Sequence, residues 1–79
     1  MRPHPIGERE ARALAQAGAI RSVSIEPAPG DGWVVVLRIG MEERPLMSTR
    51  KQVRIWKRID AVVRWLADMG IAEAVVRTR

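Results

Sequence analysis

The chain has 79 residues, no cysteine and a formal net charge of +5, which excludes a disulfide framework and a thiolate zinc site. A chain this short buries only about 60% of its unfolded surface. We therefore expect residues 1–79 to form a single domain with a mobile N-terminus at residues 1–5, and the small core leaves homodimerisation open. Without a long apolar run or a signal peptide, we expect a soluble, cytoplasmic protein with no membrane partner.

The charge is unevenly distributed along the chain. Residues 1–43 contain five arginines against six acidic residues, a balance of −1, whereas residues 44–79 contain nine basic residues against three acidic ones, a balance of +6. A basic half attracts polyanions such as nucleic acid, or an acidic partner protein, and the attraction weakens with salt.

The first half of the chain changes from a helical to a strand period. Apolar and small residues at i, i+3, i+4 and i+7 predict a helix near residues 6–17, ended by Gly18. Alternation then predicts a strand in which Val23 and Ile25 share one face. The segment "PAPGDG" predicts a turn, and "WVVVLRI" predicts a central strand that begins at Trp33.

The second half repeats this change of period. Residues 44–49 predict a third strand, with Pro45 at an edge or at the strand start, and residues 53–56 predict a short fourth strand whose Val53 and Ile55 face away from Arg54 and Trp56. A second helix follows, ended by Gly70, and residues 71–78 predict a last strand. The predicted buried stripe of the second helix consists of Ile59, Val62, Val63, Leu66 and Met69.

These elements define the predicted fold class. We expect an α+β protein with an antiparallel sheet of four to five short strands and two helices on one face, in the order α-β-β-β-β-α-β.

Candidates for catalysis are few. His4 is the only histidine and lies among prolines. Asp60 and Asp68 are eight residues apart on the second helix, roughly 12 Å, which is too far for a carboxylate dyad. The chain has no nucleophile elbow and no glycine-rich phosphate loop. We therefore predict a protein that is not an enzyme and has no cofactor and no metal site.

The candidate binding site is a run of basic residues around a tryptophan. It contains five cations in nine residues with no acid among them, namely Arg50, Lys51, Arg54, Lys57 and Arg58. These side chains are suited to phosphate groups or to an acidic partner, and Trp56 offers a face to a base or to a guanidinium. The alternative is a solvated sheet edge whose charge prevents aggregation. Because cations are unfavourable at a helix N-terminus, Lys57 and Arg58 favour a use beyond solubility.

The other two tryptophans are assigned differently. Trp33 is predicted to lie in the core. Trp65 lies one position from the helical stripe, so it either covers the sheet edge or projects as an interface residue.

The second half resembles the small ParC-type partition-associated proteins of plasmids and integrative elements, which share only a name with the topoisomerase subunit. The matching elements are Thr49-Arg50, Arg54-Ile55-Trp56, Ile59-Asp60, the helix from Val62 to Met69, Gly70-Ile71, and the strand from Ala74 to Val76. The first half fits as well, through a helix that ends in "AGAI" and then "SVSIEPAPGDGWVV". Arg58 departs from the pattern, since a serine helix cap is usual there.

The resemblance implies a function without implying catalytic residues. It implies an accessory protein encoded beside a partition ATPase and a centromere-binding protein, acting through contacts with these proteins and, as an open alternative, with DNA.

Overall fold

The computed structural model describes residues 4–50 and 52–78, and this part of the chain forms two helices and four strands. They are α1 (Glu8–Gln16), β1 (Ile20–Pro27), β2 (Trp33–Ile39), β3 (Glu42–Pro45), α2 (Ile59–Asp68) and β4 (Val75–Val76). The predicted α+β class is confirmed. No helix in the described part is long and apolar enough to cross a membrane.

The four strands form one sheet in the order β3-β2-β1-β4. β1 and β3 both pair antiparallel with β2, as predicted. β4 instead pairs parallel with β1, aligning Ser24 with Val75 and Ile25 with Val76. The sheet is therefore mixed. β3 and β4 lie at opposite edges of the sheet, and α2 lies in the connection between them. This connection therefore crosses one face of the sheet, and β4 then runs parallel to β1.

The predicted fourth strand, residues 53–56, is not a strand of this sheet. It makes two isolated bridges, one between Met47 and Val53 and one between Trp33 and Trp56. The N-terminal segment pairs with the other edge of the chain that follows β3: the Ile6 amide donates to the Pro45 carbonyl, and the Met47 amide donates to the Ile6 carbonyl, whereas the Arg54 amide donates to the Leu46 carbonyl. Residues 53–56 divide their pairing between the chain that follows β3 and the first residue of β2, so they pair with neither over enough residues to form a regular strand.

The core lies between the two helices and one face of the sheet. The inward side chains of β1 and β2 are buried, and both helices add buried residues to the same cluster. The sheet contributes Val23, Ile25, Val35 and Leu37, and the helices contribute Ala11, Val62, Trp65 and Leu66. Placing both helices on one face of the sheet, as predicted, leaves the opposite face uncovered.

The buried stripe of α2 differs from the predicted one. Trp65 is only 9% exposed, whereas Val63 is 56% exposed. Trp65 packs against Trp56 with 5.8 Å between ring centroids. Since a tryptophan buries far more apolar area than a valine, turning α2 towards Trp65 gains more free energy. Trp65 is thus a core residue here and not a projecting one, and Trp33 is half-buried against the core.

Candidate binding surface

The basic segment, residues 50–58, is the second part of the connection between β3 and α2, which runs from residue 46 to residue 58. Its backbone is hydrogen-bonded to the rest of the chain at three points within the described residues, the first being the Gln52 carbonyl, which accepts from the Ser48 amide at 2.7 Å. The Arg54 amide donates to the Leu46 carbonyl at 2.9 Å, and Trp56 exchanges two hydrogen bonds with Trp33, at 2.7 and 2.8 Å. Lys51 was predicted to belong to the site and lies outside the described residues.

Side chains of the basic segment alternate in burial. Arg54 is half-buried and Trp56 is buried, whereas Val53 is 40% and Ile55 48% exposed. Lys57 is also exposed. This alternation matches the prediction that Val53 and Ile55 face away from Arg54 and Trp56. The segment therefore presents a mixed stripe to solvent, with two aliphatic side chains followed by an ammonium group.

The ring of Trp56 is covered by an arginine. The guanidinium carbon of Arg54 lies 3.8 Å from the ring centroid of Trp56, and Nη1 of the same arginine lies 3.7 Å from Oε1 of Glu8. Trp65 packs against Trp56 within the core. Trp56 was predicted to offer its ring either to a base or to a guanidinium. The structure shows the contact with a guanidinium, that of Arg54, and in this conformation the ring is not free to stack on a base.

Arg58 is held at the start of α2 by a carboxylate. Its Nε and Nη2 atoms donate to Oδ1 and Oδ2 of Asp60 at 3.0 and 3.3 Å. The hydrogen bond with Arg58 holds the pKa of Asp60 below its usual range, and the same bond raises the pKa of Arg58. Arg58 occupies the N-cap position and makes no capping hydrogen bond with its side chain. Asp60, in the first turn, offsets the unfavourable cation at this helix end.

The remaining described cations of the basic segment are more available. The Arg50 amide donates to Oγ of Ser48 at 3.2 Å, but the side chains of Arg50 and Lys57 are exposed, and neither forms an ion pair with another described residue. The structure therefore divides the predicted site: Arg54 and Trp56 stabilise the fold, Arg58 is paired, and Arg50 and Lys57 face solvent.

Two residues that the sequence did not assign to the site help to position it. Glu8 forms the ion pair with Arg54. A Cβ atom at Gly32 would lie 2.7 Å from the Trp56 carbonyl oxygen and 2.9 Å from Cγ2 of Ile55, so only glycine allows this approach. Gly32 also has a φ of +99°. In the sequence it is indistinguishable from the other turn glycines, because the contact partner is distant in the chain.

The imbalance of charge along the sequence is partly cancelled in space. Glu8 pairs with Arg54, and in the same way Glu10 lies 3.5 Å from Arg44 and Glu26 lies 3.8 Å from Arg77. Each pair joins an acid of the first half to a base of the second. The field of the basic half is therefore weaker than a balance of +6 indicates, and its exposed remainder is concentrated at fewer positions.

His4 is exposed, and its carbonyl accepts a hydrogen bond from Nε of Arg44 at 3.0 Å. The Pro5 carbonyl accepts a second one from Nη2 at 3.3 Å. The predicted mobile terminus thus has two anchored residues, and its first three residues lie outside the described ranges. Across residues 4–50 and 52–78, no three side chains of the metal-binding types are close enough to hold a metal ion.

By its fold and its surface, the chain is a small α+β protein in which a basic segment precedes the second helix. A family model described as ParC-like matches residues 6–79, and the chain therefore belongs to the ParC-like family. No curated protein and no solved structure matches the chain significantly.

Proposed function

We propose that the protein is a non-catalytic accessory or adaptor protein in the partition and maintenance of a plasmid or mobile element. Its partner in this proposal is the partition ATPase or the centromere-binding protein, bound through an acidic surface. Membership of the ParC-like family supports the setting. The observation that supports binding to a partner protein is the exposed stripe formed by Val53, Ile55 and Lys57.

Aliphatic side chains at such a position favour a protein partner. Phosphate groups are recognised by charged and hydrogen-bonding groups, whereas a protein interface combines an apolar centre with a polar rim. Val53 and Ile55 supply apolar area, and Lys57 supplies a cation beside it. The backbone beneath them is held by Trp33, so little conformational entropy is lost on binding.

Affinity co-purification with the two partition proteins tests the proposal. We expect the tagged wild-type protein to recover one of them, and the Ile55→Ser and Lys57→Glu variants to recover at least tenfold less, because both changes alter the exposed stripe without entering the core. Met41→Ser is the matched control, since Met41 is 88% exposed at the turn between β2 and β3. Recovery of neither partition protein, or equal recovery by all variants, contradicts the proposal.

Direct nucleic-acid binding is the second candidate. It is favoured by the exposed guanidinium of Arg50 and the exposed ammonium of Lys57, which have no ion-pair partner among the described residues. Arg58 is 77% exposed and sits between them and α2. Such groups neutralise phosphates and release counterions, which makes binding steeply dependent on salt.

A fluorescence titration of duplex and single-stranded DNA at about 50 and 200 mM salt tests this candidate. Binding at micromolar concentration that is lost at the higher salt, and that the Arg50→Glu and Lys57→Glu variants abolish, supports it. These variants are preferable to a change at Arg54, which would also remove the contacts with Trp56 and Glu8. Binding that the two variants do not change would place the DNA contact elsewhere.

A further inference from the structure

The two edges of the sheet differ in whether another segment of the chain covers them. The β3 edge is covered beyond its end by the N-terminal segment, through the bridge between Ile6 and Leu46. β4 forms the opposite edge, and within the described residues its pairing partner is β1. The outer side of β4 is therefore open to another strand.

The hydrogen bonds of β4 identify which of its backbone groups are open. The Arg77 amide donates to the Ile25 carbonyl at 2.8 Å. Because the amide and carbonyl groups alternate in direction along a strand, those of Val76 point away from β1, and those of Ala74 point the same way.

Apolar side chains surround this open edge. Val75 is 60% exposed and Val76 is 46% exposed. Val76, aligned with the inward-facing Ile25, lies on the helix side of the sheet and shares a groove with Val63, which is 56% exposed. Val75, aligned with Ser24, lies on the uncovered face. An edge with exposed valines on both faces has the composition of an interface.

The residues that flank the edge carry opposite charges in a self-complementary order. Glu73 and Arg77 lie two residues before and two residues after Val75, just outside the two-residue strand. An extended backbone that continues through them places both on the face of Val75, where Arg77 already lies 3.8 Å from Glu26 of β1. If a second β4 runs antiparallel with Val75 facing its own copy, Glu73 faces Arg77 of that copy, and the reverse pair forms by symmetry. Like charges at these two positions would instead repel.

The same alignment satisfies the backbone. With Val75 on the two-fold axis, the outward amide and carbonyl groups of Val76 meet those of Ala74 in the second copy. Val75 and the two Glu73–Arg77 pairs then occupy the positions where opposed side chains come closest. Charge, side-chain burial and hydrogen bonding therefore agree on one register.

We propose that β4 pairs antiparallel with β4 of a second copy of this chain, centred on Val75, so that two four-stranded sheets join into one. The interface is small, and association in the range of roughly 10 to 500 μM is expected. It is separate from the basic segment, so it is independent of the partition partner.

Sedimentation velocity of the full chain across that concentration range tests the pairing. The wild-type protein is expected to form dimers, and Val75→Lys is expected to remain monomeric because it places two ammonium groups face to face. Met41→Lys is the control, since it adds the same charge at a position that is 88% exposed and distant from β4 in the sheet order. A wild-type protein that is monomeric throughout, or dimers that persist in Val75→Lys, would overturn the proposal.

Disulfide trapping tests the register, and the chain has no cysteine of its own to interfere. Under mild oxidation Val75→Cys is expected to give a covalent dimer, since opposed Cα atoms at this kind of position are about 4.5 Å apart. Val76→Cys faces Ala74 of the second copy and is expected to cross-link at least tenfold more slowly. Faster cross-linking at residue 76 than at residue 75 would reject the register.

Discussion

The guanidinium carbon of Arg54 lies 3.8 Å from the ring centroid of Trp56, two residues further along an extended segment. Side chains two residues apart in such a segment point the same way, so this contact follows from the local backbone. The ion pair between Arg54 and Glu8 then links the basic segment to α1. A cation predicted to contact a ligand therefore stabilises the protein itself.

The first prediction concerns this contact. Arg54→Ala should lower the free energy of unfolding by about 0.5–1 kcal/mol, because it removes the cation–π contact and a partly exposed ion pair. Urea denaturation measures the change. Arg50→Ala, which removes an exposed arginine of the same segment, should change stability by less than about 0.5 kcal/mol. Equal losses in the two variants would show that stacking on Trp56 contributes nothing measurable.

The second prediction separates backbone strain from a steric contact. Gly32 and Gly30 have φ angles of +99° and +84°, so alanine is strained at both positions. Only at Gly32 does a Cβ atom meet the Trp56 carbonyl, whereas at Gly30 it meets open space. Gly30→Ala should cost about 1 kcal/mol, and Gly32→Ala should cost at least twice as much because the Trp33–Trp56 hydrogen bonds must shift.

Urea denaturation gives the two stabilities, and the tryptophan emission spectrum reports whether the surroundings of Trp33 and Trp56 change. We expect a shifted emission maximum in Gly32→Ala and none in Gly30→Ala. Indistinguishable variants would mean that the basic segment moves away from Gly32 without loss.

The third prediction tests the orientation of α2 with a matched pair of valines. Val62 is fully buried, whereas Val63 is 56% exposed. Val62→Ala should therefore cost about 1.5 kcal/mol or more, and Val63→Ala less than about 0.5 kcal/mol. Denaturation at low micromolar concentration keeps self-association out of the comparison. A larger loss of stability in Val63→Ala than in Val62→Ala would contradict the orientation of α2 described above.

The fourth prediction concerns acid denaturation. Because Arg58 lowers the pKa of Asp60 from its usual value of 3.8, the contribution of this pair to stability is full above that value and is lost as pH falls through the lower folded-state pKa. Asp60→Asn should therefore have a lower Tm than the wild-type protein at pH 7. The difference should diminish below about pH 4.

Thermal unfolding followed by circular dichroism at a series of pH values checks this dependence. Arg58→Gln should reproduce the loss at pH 7, since it removes the other partner of the same hydrogen bonds. A difference between the wild-type protein and Asp60→Asn that is unchanged at low pH would assign the effect to helix-end packing instead.

Local patterns predicted most elements of this fold correctly. Period-two alternation identified β1 and β2, and glycine correctly ended both helices at Gly18 and Gly70. The direction of β4 was not predictable, because a two-residue strand carries no signal for parallel or antiparallel pairing. The stripe of α2 was displaced because Val63 and Trp65 lie on either side of the helical face, and the packing of Trp56 decides between them.

The candidate site was predictable as a set of charges but not as a set of partners. Composition singled out the basic segment as the candidate site, and alternation placed Val53 and Ile55 opposite to Arg54 and Trp56, as the burial pattern shows. Neither pattern gave any information that Glu8 of α1, which also binds Arg12, would form an ion pair with Arg54, because that pair depends on the folded chain bringing distant segments together. Which cations remain free is therefore a tertiary property.

The parallel pairing of β4 with β1 also determines the order in which the sheet can be completed. β1, β2 and β3 are consecutive and close through short turns, whereas Ser24 and Val75 meet only after two further strands and α2 have been placed between them. Closing so long a loop costs more chain entropy than forming the two hairpins, so we expect β4 to join the sheet last. In the proposed pairing, the outward backbone groups of Val76 therefore become available to a second copy only after the rest of the chain has folded.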